Sequence, residues 1–256
     1  MPENEVVLVG IGEIGGILAK AFLRLGFTVH PVTRETDTGR LAAAVEQPAL
    51  VIVAVGEKSL GEVFDGMPAN WRGRLCLLQN ELLPRNWQGI ASPTVISIWF
   101  EKKPGTEAKV IIPSPVFGPG SKLIARALAA VDIPTRCLAD EDELLFQLVV
   151  KNLYILTTNL AGLRTGGNVG ELWQQHQPFA RLIAEEVITL QEALTRRRFD
   201  REALISAMVA AFEGDPLHQC MGRSAPARLQ RALTHADRLN LDLPQLRGLQ
   251  QGLAVS

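Results

Sequence analysis

The sequence predicts an α/β domain built on a mostly parallel sheet, followed by a domain made only of helices. Three observations carry that expectation. Short β-branched runs alternate with helix-spaced segments over the first ~140 residues, the pattern of βαβ units. The first run ends in Gly10-x-Gly12-x-x-Gly15 and opens directly into a helical segment. From Asp140 onward no segment reads as a strand, and helical spacing takes over. The boundary is placed near Ala139–Asp142, giving an α/β unit over 1–140 and a helical unit over 141–256.

Each element has its own signal. VVLVG, Val6 to Gly10, is apolar throughout and reads as a buried parallel strand. EIGGILAKAFLRLG follows with helical spacing and closes on Gly26, a residue suited to the position just past a helix end. FTVHPVTR (27–34) reads as a second strand, LAAAVEQP (41–48) as a short helix and ALVIVAVG (49–56) as a third strand. RLCLLQN (74–80) and TVISIWF (94–100) are two more strands. KVIIPSPVFGPG (109–120) is a strand or strand pair punctuated by proline, and SKLIARALAAVDI (121–133) is an amphipathic helix. Beyond the boundary, residues 141–163 read as one long helix and 179–197 as another, with Pro178 near its start. Helices over 201–213 and 226–240 follow.

The bulk properties exclude several functions. Of the 256 residues 47% are hydrophobic, enough for a sizeable core, and the formal net charge is −1 with the two signs interspersed. Neither a nucleic-acid footprint nor an anionic-membrane surface is expected, and 5% aromatic residues make a base-stacking platform a poor fit. Cys76, Cys137 and Cys220 lie far apart without metal-ligand spacing, so no metal is expected and all three read as buried thiols in a reducing compartment. His30, His176, His218 and His235 share no spacing and read as surface or packing residues. The acidic MPENE terminus is unlike a signal peptide, and no apolar run approaches the ~20 residues of a membrane helix. A soluble cytoplasmic protein is expected.

The glycine pattern has the context that makes it informative: a strand before it, a helix after it, a βαβ unit around it. Gly10 permits a tight turn, Gly12 lets backbone approach a pyrophosphate, and Gly15 lets helix and strand pack closely. Glu13 and Ile14 open the helix whose N-terminal N–H groups would face the anion. The pattern reads as a Rossmann-type dinucleotide site, with a purely structural glycine turn as the alternative. Where an NAD site places an acid after the second strand, this chain has Thr33-Arg34, and the acid Glu35 comes only afterwards. The fork of Arg34 suits a 2′-phosphate, so NADP(H) is the expected cofactor.

The long helix over 141–163 is apolar on most sides yet carries Lys151, Asn152, Thr158 and Asn159. Lys151, Ile155, Thr158 and Asn159 fall on one stripe at ~100° per residue. A buried ammonium is costly, so Lys151 either snorkels to solvent or faces a polar cleft, where a lowered pKa would make it a workable acid.

With these residues in place, the chain resembles the ketopantoate reductase (2-dehydropantoate 2-reductase) family. The resemblance runs from the glycine loop through LLQNELLP, KNLYILTTN and NVGELW to ALTHADRLNLDLP, in that order and over nearly the whole chain. It implies NADPH-dependent reduction of a small 2-oxo acid or related carbonyl, with hydride passing from nicotinamide C4 to the carbonyl carbon. By position, Lys151 takes the role of the family's general acid, Arg34 that of its 2′-phosphate reader and Asn159 that of a substrate-binding asparagine. Asn80 matches an asparagine serving cofactor and substrate, and the helical unit serves substrate and dimerisation, with a homodimer as the assembly. Ile155 stands where the family has a second asparagine, and Ser224 where it has a glutamate contacting lysine and substrate. The alternative is a non-catalytic NADP(H)-binding sensor that keeps Arg34 and the loop but has lost turnover.

Three further features read as structural. Asp140-Glu141-Asp142-Glu143 is first-turn acid complementing a helix dipole. Arg196-Arg197-Arg198 is a solvated cap at a helix C-terminus. Trp99 and Phe100, at a strand end, are core residues rather than pocket lining.

Overall fold

Val6 to Val9 present no polar side chain, so a strand made of them is stable only when covered on both faces. In the computed structural model, which describes residues 4–255, that strand is central. Met1 to Glu3, on which much of the acidic-terminus reading rests, lie outside the described residues. The strands are β1 (Glu5–Val9), β2 (Thr28–Val32), β3 (Leu50–Val53), β4 (Leu75–Leu77), β5 (Thr94–Ile96), β6 (Phe100–Glu101), β7 (Lys109–Val110), β8 (Ser114–Phe117) and β9 (Thr135–Cys137). Seven of them, among the described residues, form one sheet in the order β2-β1-β3-β4-β5-β8-β9. Pairing is parallel throughout except between β5 and β8. The helices of this part are α1 (Glu13–Arg24), α2 (Thr38–Ala44), α3 (Leu60–Asp65) and α4 (Ser121–Ala129). Val6, Leu8, Leu50 and Ile52 pack with Leu18, Phe22, Ile124 and Leu128 in the core beneath α1 and α4. The chain leaves β1 for β2 on one side and reaches β3 on the other. The carboxyl ends of β1 and β3 therefore flank the crevice where such sheets bind ligands.

Two departures from the predicted elements have clear causes. The strand expected over 94–100 breaks after Ile96. Pro113 and Pro115 on the facing segment have no N–H to donate, so a continuous ladder cannot form there. Ser97 N–H instead donates to Pro115 O at 2.9 Å, and Trp99 N–H to the Ser114 hydroxyl at 2.9 Å. The chain then enters the separate β6–β7 hairpin. The other departure is β9, which the sequence does not signal. Thr135-Arg136-Cys137 is an edge strand without a buried face, held by backbone bonds to β8. Cys137 is accordingly exposed, correcting the expectation of three buried thiols, whereas Cys76 and Cys220 are buried. Trp99 and Phe100 are buried, and Phe100 joins the core of this unit.

The chain packs as two compact units, Met1–Gln147 and Leu148–Ser256. The remaining helices are α5 (Glu141–Thr165), α6 (Val169–Gln175), α7 (Gln177–Thr195), α8 (Arg201–Gly214), α9 (Ala225–Arg238) and α10 (Pro244–Val255). The acidic run caps α5: Asp140 Oδ1 accepts from Glu143 N–H and Glu143 Oε2 from Ala139 N–H, both at 2.8 Å. The Ala139 N–H and the Arg136 guanidinium hold the Glu143 carboxyl below its usual range. Contrary to the expectation, α5 is long and apolar enough, by length and composition, to cross a membrane. Of its most apolar stretch 72% is buried inside the protein, as in a core helix.

Arg196 ends α7 in the left-handed conformation (φ 55°), but Arg198 is more than a solvated cap. Glu192, buried within α7, accepts from Arg198 at 2.9 Å, from Arg201 at 2.5 Å and from Phe199 N–H at 3.3 Å. Burial pushes its carboxyl pKa up, but the bonds from Arg201, Phe199 and Arg198 outweigh that and hold it below the usual range. This contribution is present above the unfolded carboxylate pKa and lost as pH falls through the lower folded value. Glu192→Gln is therefore expected to cost about 1–3 kcal/mol near neutral pH, the value of charged hydrogen bonds whose arginines can rehydrate. The deficit should shrink on acidification. Urea melts of both proteins across acidic and neutral pH check this, and an unchanged midpoint at neutral pH counts against it.

Candidate functional site

The three glycines of the loop meet different demands. Gly10 sits at φ +91°, donates its N–H to Val32 O at 3.0 Å, and leaves no room for a side chain. A Cβ there would lie 2.7 Å from Ala54 O. A Cβ on Gly15 would lie 2.3 Å from Gly10 O. Both are required by packing alone. Gly12 differs. It precedes α1 at φ −69° and ψ −168°, backbone that any residue adopts, and a Cβ there would meet nothing within 4 Å. The fold does not need this glycine, and the open space in front of its backbone is what a phosphate would require. The N–H groups opening α1, from Glu13, Ile14 and Gly15, begin at this point.

A cavity of about 740 Å³ extends from Gly10 and Ile11 past Thr33, Arg34 and Thr38 to Trp71, within the ~300–1,000 Å³ range of small-molecule sites. Trp71 is fixed by its indole N–H, which donates to Val45 O at 2.8 Å. Arg34 is exposed at the exit of β2 and shares this cavity with the glycine loop. The Glu13 carboxylate turns aside to Lys102 Nζ at 2.8 Å, which offsets its charge at the helix N-terminus. Asn80 is exposed just after β4 and does not line the cavity. Its neighbour Gln79 is buried and donates to Val53 O at 2.6 Å, tying the ends of β3 and β4.

In the helical unit, Lys151, Ile155 and Asn159 lie along one stripe of α5 at i, i+4 and i+8. Lys151 is half-buried, its Nζ 5.9 Å from the Tyr154 ring centroid. Burial, reinforced by the Arg228 guanidinium, lowers its pKa to about 7. Two other polar groups of α5 have structural partners. Asn152 Nδ2 donates to Gln191 Oε1 at 3.0 Å, tying α5 to α7, and the Thr158 hydroxyl donates to Tyr154 O at 2.8 Å. Asn159 Oδ1 accepts from Arg228 Nη1 at 2.8 Å. Ser224 is exposed just before α9, and its carbonyl accepts from Arg228 N–H at 2.9 Å. The geometry thus groups Lys151 and Asn159 with Arg228, a residue the sequence reading missed. An arginine in the first turns of a helix reads as surface charge, and only its spacing of four from Ser224 pointed to this place.

No family model matches the chain, and no curated protein matches it in sequence. Solved structures do match its fold. A 2-dehydropantoate 2-reductase from Porphyromonas gingivalis W83 is similar at a TM-score of 0.65 and 16% identity, over 99% of this chain and 100% of that one. A dimeric ketopantoate reductase from Staphylococcus aureus matches at 0.60 and 16%, over 98% of each chain. A D-mandelate dehydrogenase, solved in complex with NADH, matches at 0.67 and 12%, over 96% of each chain. The chain has the fold of the 2-dehydropantoate 2-reductases, a mostly parallel sheet unit followed by helices, as its sequence predicts.

Proposed function

We propose that the protein is an NADPH-dependent reductase of a small 2-oxo acid or related carbonyl compound. The α/β unit over 1–140 would bind dinucleotide, and the helical unit over 141–256 would bind substrate and a second copy of the chain. The observation that carries the reading is Lys151: a half-buried ammonium with a pKa of about 7, on one stripe with Asn159. A group titrating there can give up a proton near neutral pH, which an ordinary surface lysine does poorly. Similar structures of a 2-dehydropantoate 2-reductase and a D-mandelate dehydrogenase support the same class of chemistry.

The residues fit a dinucleotide cofactor. Gly12 leaves the backbone open to a pyrophosphate, Glu13, Ile14 and Gly15 open the helix behind it, and Arg34 offers its fork to a 2′-phosphate. A bound nicotinamide supplies hydride. Lys151 holds the proton that the reduced oxygen needs, and Asn159 and Ser224 bind substrate. Ile155 is buried and offers no hydrogen bond where the resemblance calls for an asparagine, so the reading stops at small 2-oxo acids rather than at ketopantoate. That same residue favours the rival reading, an NADP(H) sensor without turnover. The deciding experiment mixes pure protein, NADPH and a panel of 2-oxo acids and follows nicotinamide absorbance. Oxidation with at least one acid supports the enzyme, and NADPH binding without oxidation supports the sensor.

Arg34 yields a prediction of its own. NADPH is expected to bind more tightly than NADH by about 1.5–3 kcal/mol, roughly tenfold to over a hundredfold. Fluorescence titration of both nucleotides measures it. Arg34→Ala should bring the two affinities together, and an Arg34→Ala protein that keeps its preference would refute the assignment.

A further inference from the structure

Glu13 stands at the first position of α1, directly after Gly12. A carboxylate there suits the helix dipole by itself, and so opposes any second anion brought to the same N–H groups. The charge that answers it comes from far along the chain. Lys102 follows β6 in the β6–β7 hairpin, 89 residues on, and its Nζ donates to Glu13 Oε2 at 2.8 Å. Among the described residues this is the one ion pair that either group makes. Both side chains keep access to water, so the pair contributes little to stability. Its position is what gives it a use. A cavity of about 440 Å³ between α1 and the hairpin is lined by Gly12, Glu13, Lys20, Lys102 and Glu107, and it shares Ile11 with the cavity that reaches Arg34.

We infer that Lys102 is a positioning residue for the dinucleotide: it neutralises Glu13, and so lets the glycine loop accept a diphosphate with an acid beside it. Lys102 acts through Glu13 and not by touching the phosphates. The inference rests on the cofactor reading above. It has a consequence that anchoring the hairpin would not produce, since removing the acid restores what removing the lysine costs.

The test measures NADPH affinity of the whole chain by fluorescence titration, in a double-mutant cycle. Lys102→Met keeps the apolar stem and removes the charge, leaving Glu13 uncompensated. Affinity should fall about tenfold, as one carboxylate facing a dianion in water-like surroundings would produce, and the loss should shrink at high salt. Glu13→Gln should leave affinity unchanged or raise it by about threefold. In the Glu13→Gln background, Lys102→Met should cost less than about threefold, because the two changes are coupled. Lys102→Arg keeps the charge and should keep the affinity. If the pair only anchors the hairpin, both single substitutions weaken binding alike, which overturns the inference. A loss that persists undiminished in the Glu13→Gln background means direct phosphate contact and also overturns it, as does no loss at all. In each of these cases the wild-type protein binds NADPH and the cofactor reading stands. A wild-type protein that binds no NADPH overturns the cofactor reading and the inference with it.

Discussion

Lys151→Ala is expected to lower kcat by ~10²–10⁴-fold, the usual contribution of a positioned general acid, while NADPH affinity stays largely intact. The separation follows from where the groups lie: the glycine loop and Arg34 belong to the α/β unit, Lys151 to the helical one. The pH profile is a second signature. Reduction requires the protonated amine, whose pKa burial lowers to about 7. The rate should therefore hold below that value and fall as pH rises through it. In the oxidative direction the neutral amine is the useful form, so that limb should invert. Steady-state kinetics across neutral pH, in both directions, measure both effects. A lysine that only lays its stem on the helix surface would, on substitution, cost modest stability and leave the profile unchanged.

Gly12→Val should abolish tight nucleotide binding while leaving the protein folded. Valine suits the extended backbone at this position, and its Cβ meets nothing within 4 Å. The side chain would instead fill the space in front of the helix N-terminus. Each charge-assisted hydrogen bond it blocks is worth about 1.5–3 kcal/mol, so NADPH affinity should fall by ~100-fold or more. Gly15→Val is the contrasting control, because its Cβ would collide with Gly10 O and the fold itself should suffer. Circular dichroism reports the folding of each variant and fluorescence titration its affinity. Normal NADPH binding by a folded Gly12→Val protein would reduce the loop to a turn and remove the cofactor assignment.

Local signals carried much of this molecule. Strand β1 was legible because four consecutive apolar residues leave a strand no solvent face, and α5 because its spacing persists over many turns. The register of Lys151 with Asn159 needed only the helical period. The sequence could also mark all three glycines, but not their separate reasons. Those depend on Ala54 O standing over Gly10 and on empty space before Gly12.

Non-local pairing hid the rest. Strand β9 has no apolar alternation and exists because β8 offers it a backbone edge. Residues 94–100 carry a strand's composition, yet the prolines that interrupt their ladder lie some way along the chain at 113 and 115. Nothing local to the sequence signals that Glu192 is buried between Arg198 and Arg201. By itself the sequence determined the α/β-then-helical order, the glycine loop between strand and helix, and the lysine stripe, all set by residues close enough in the chain for local sterics and periodicity to act. Only the tertiary structure decided that Arg228 joins Asn159, since those residues stand 69 positions apart. Their meeting depends on how α9 packs on α5, which no local spacing encodes.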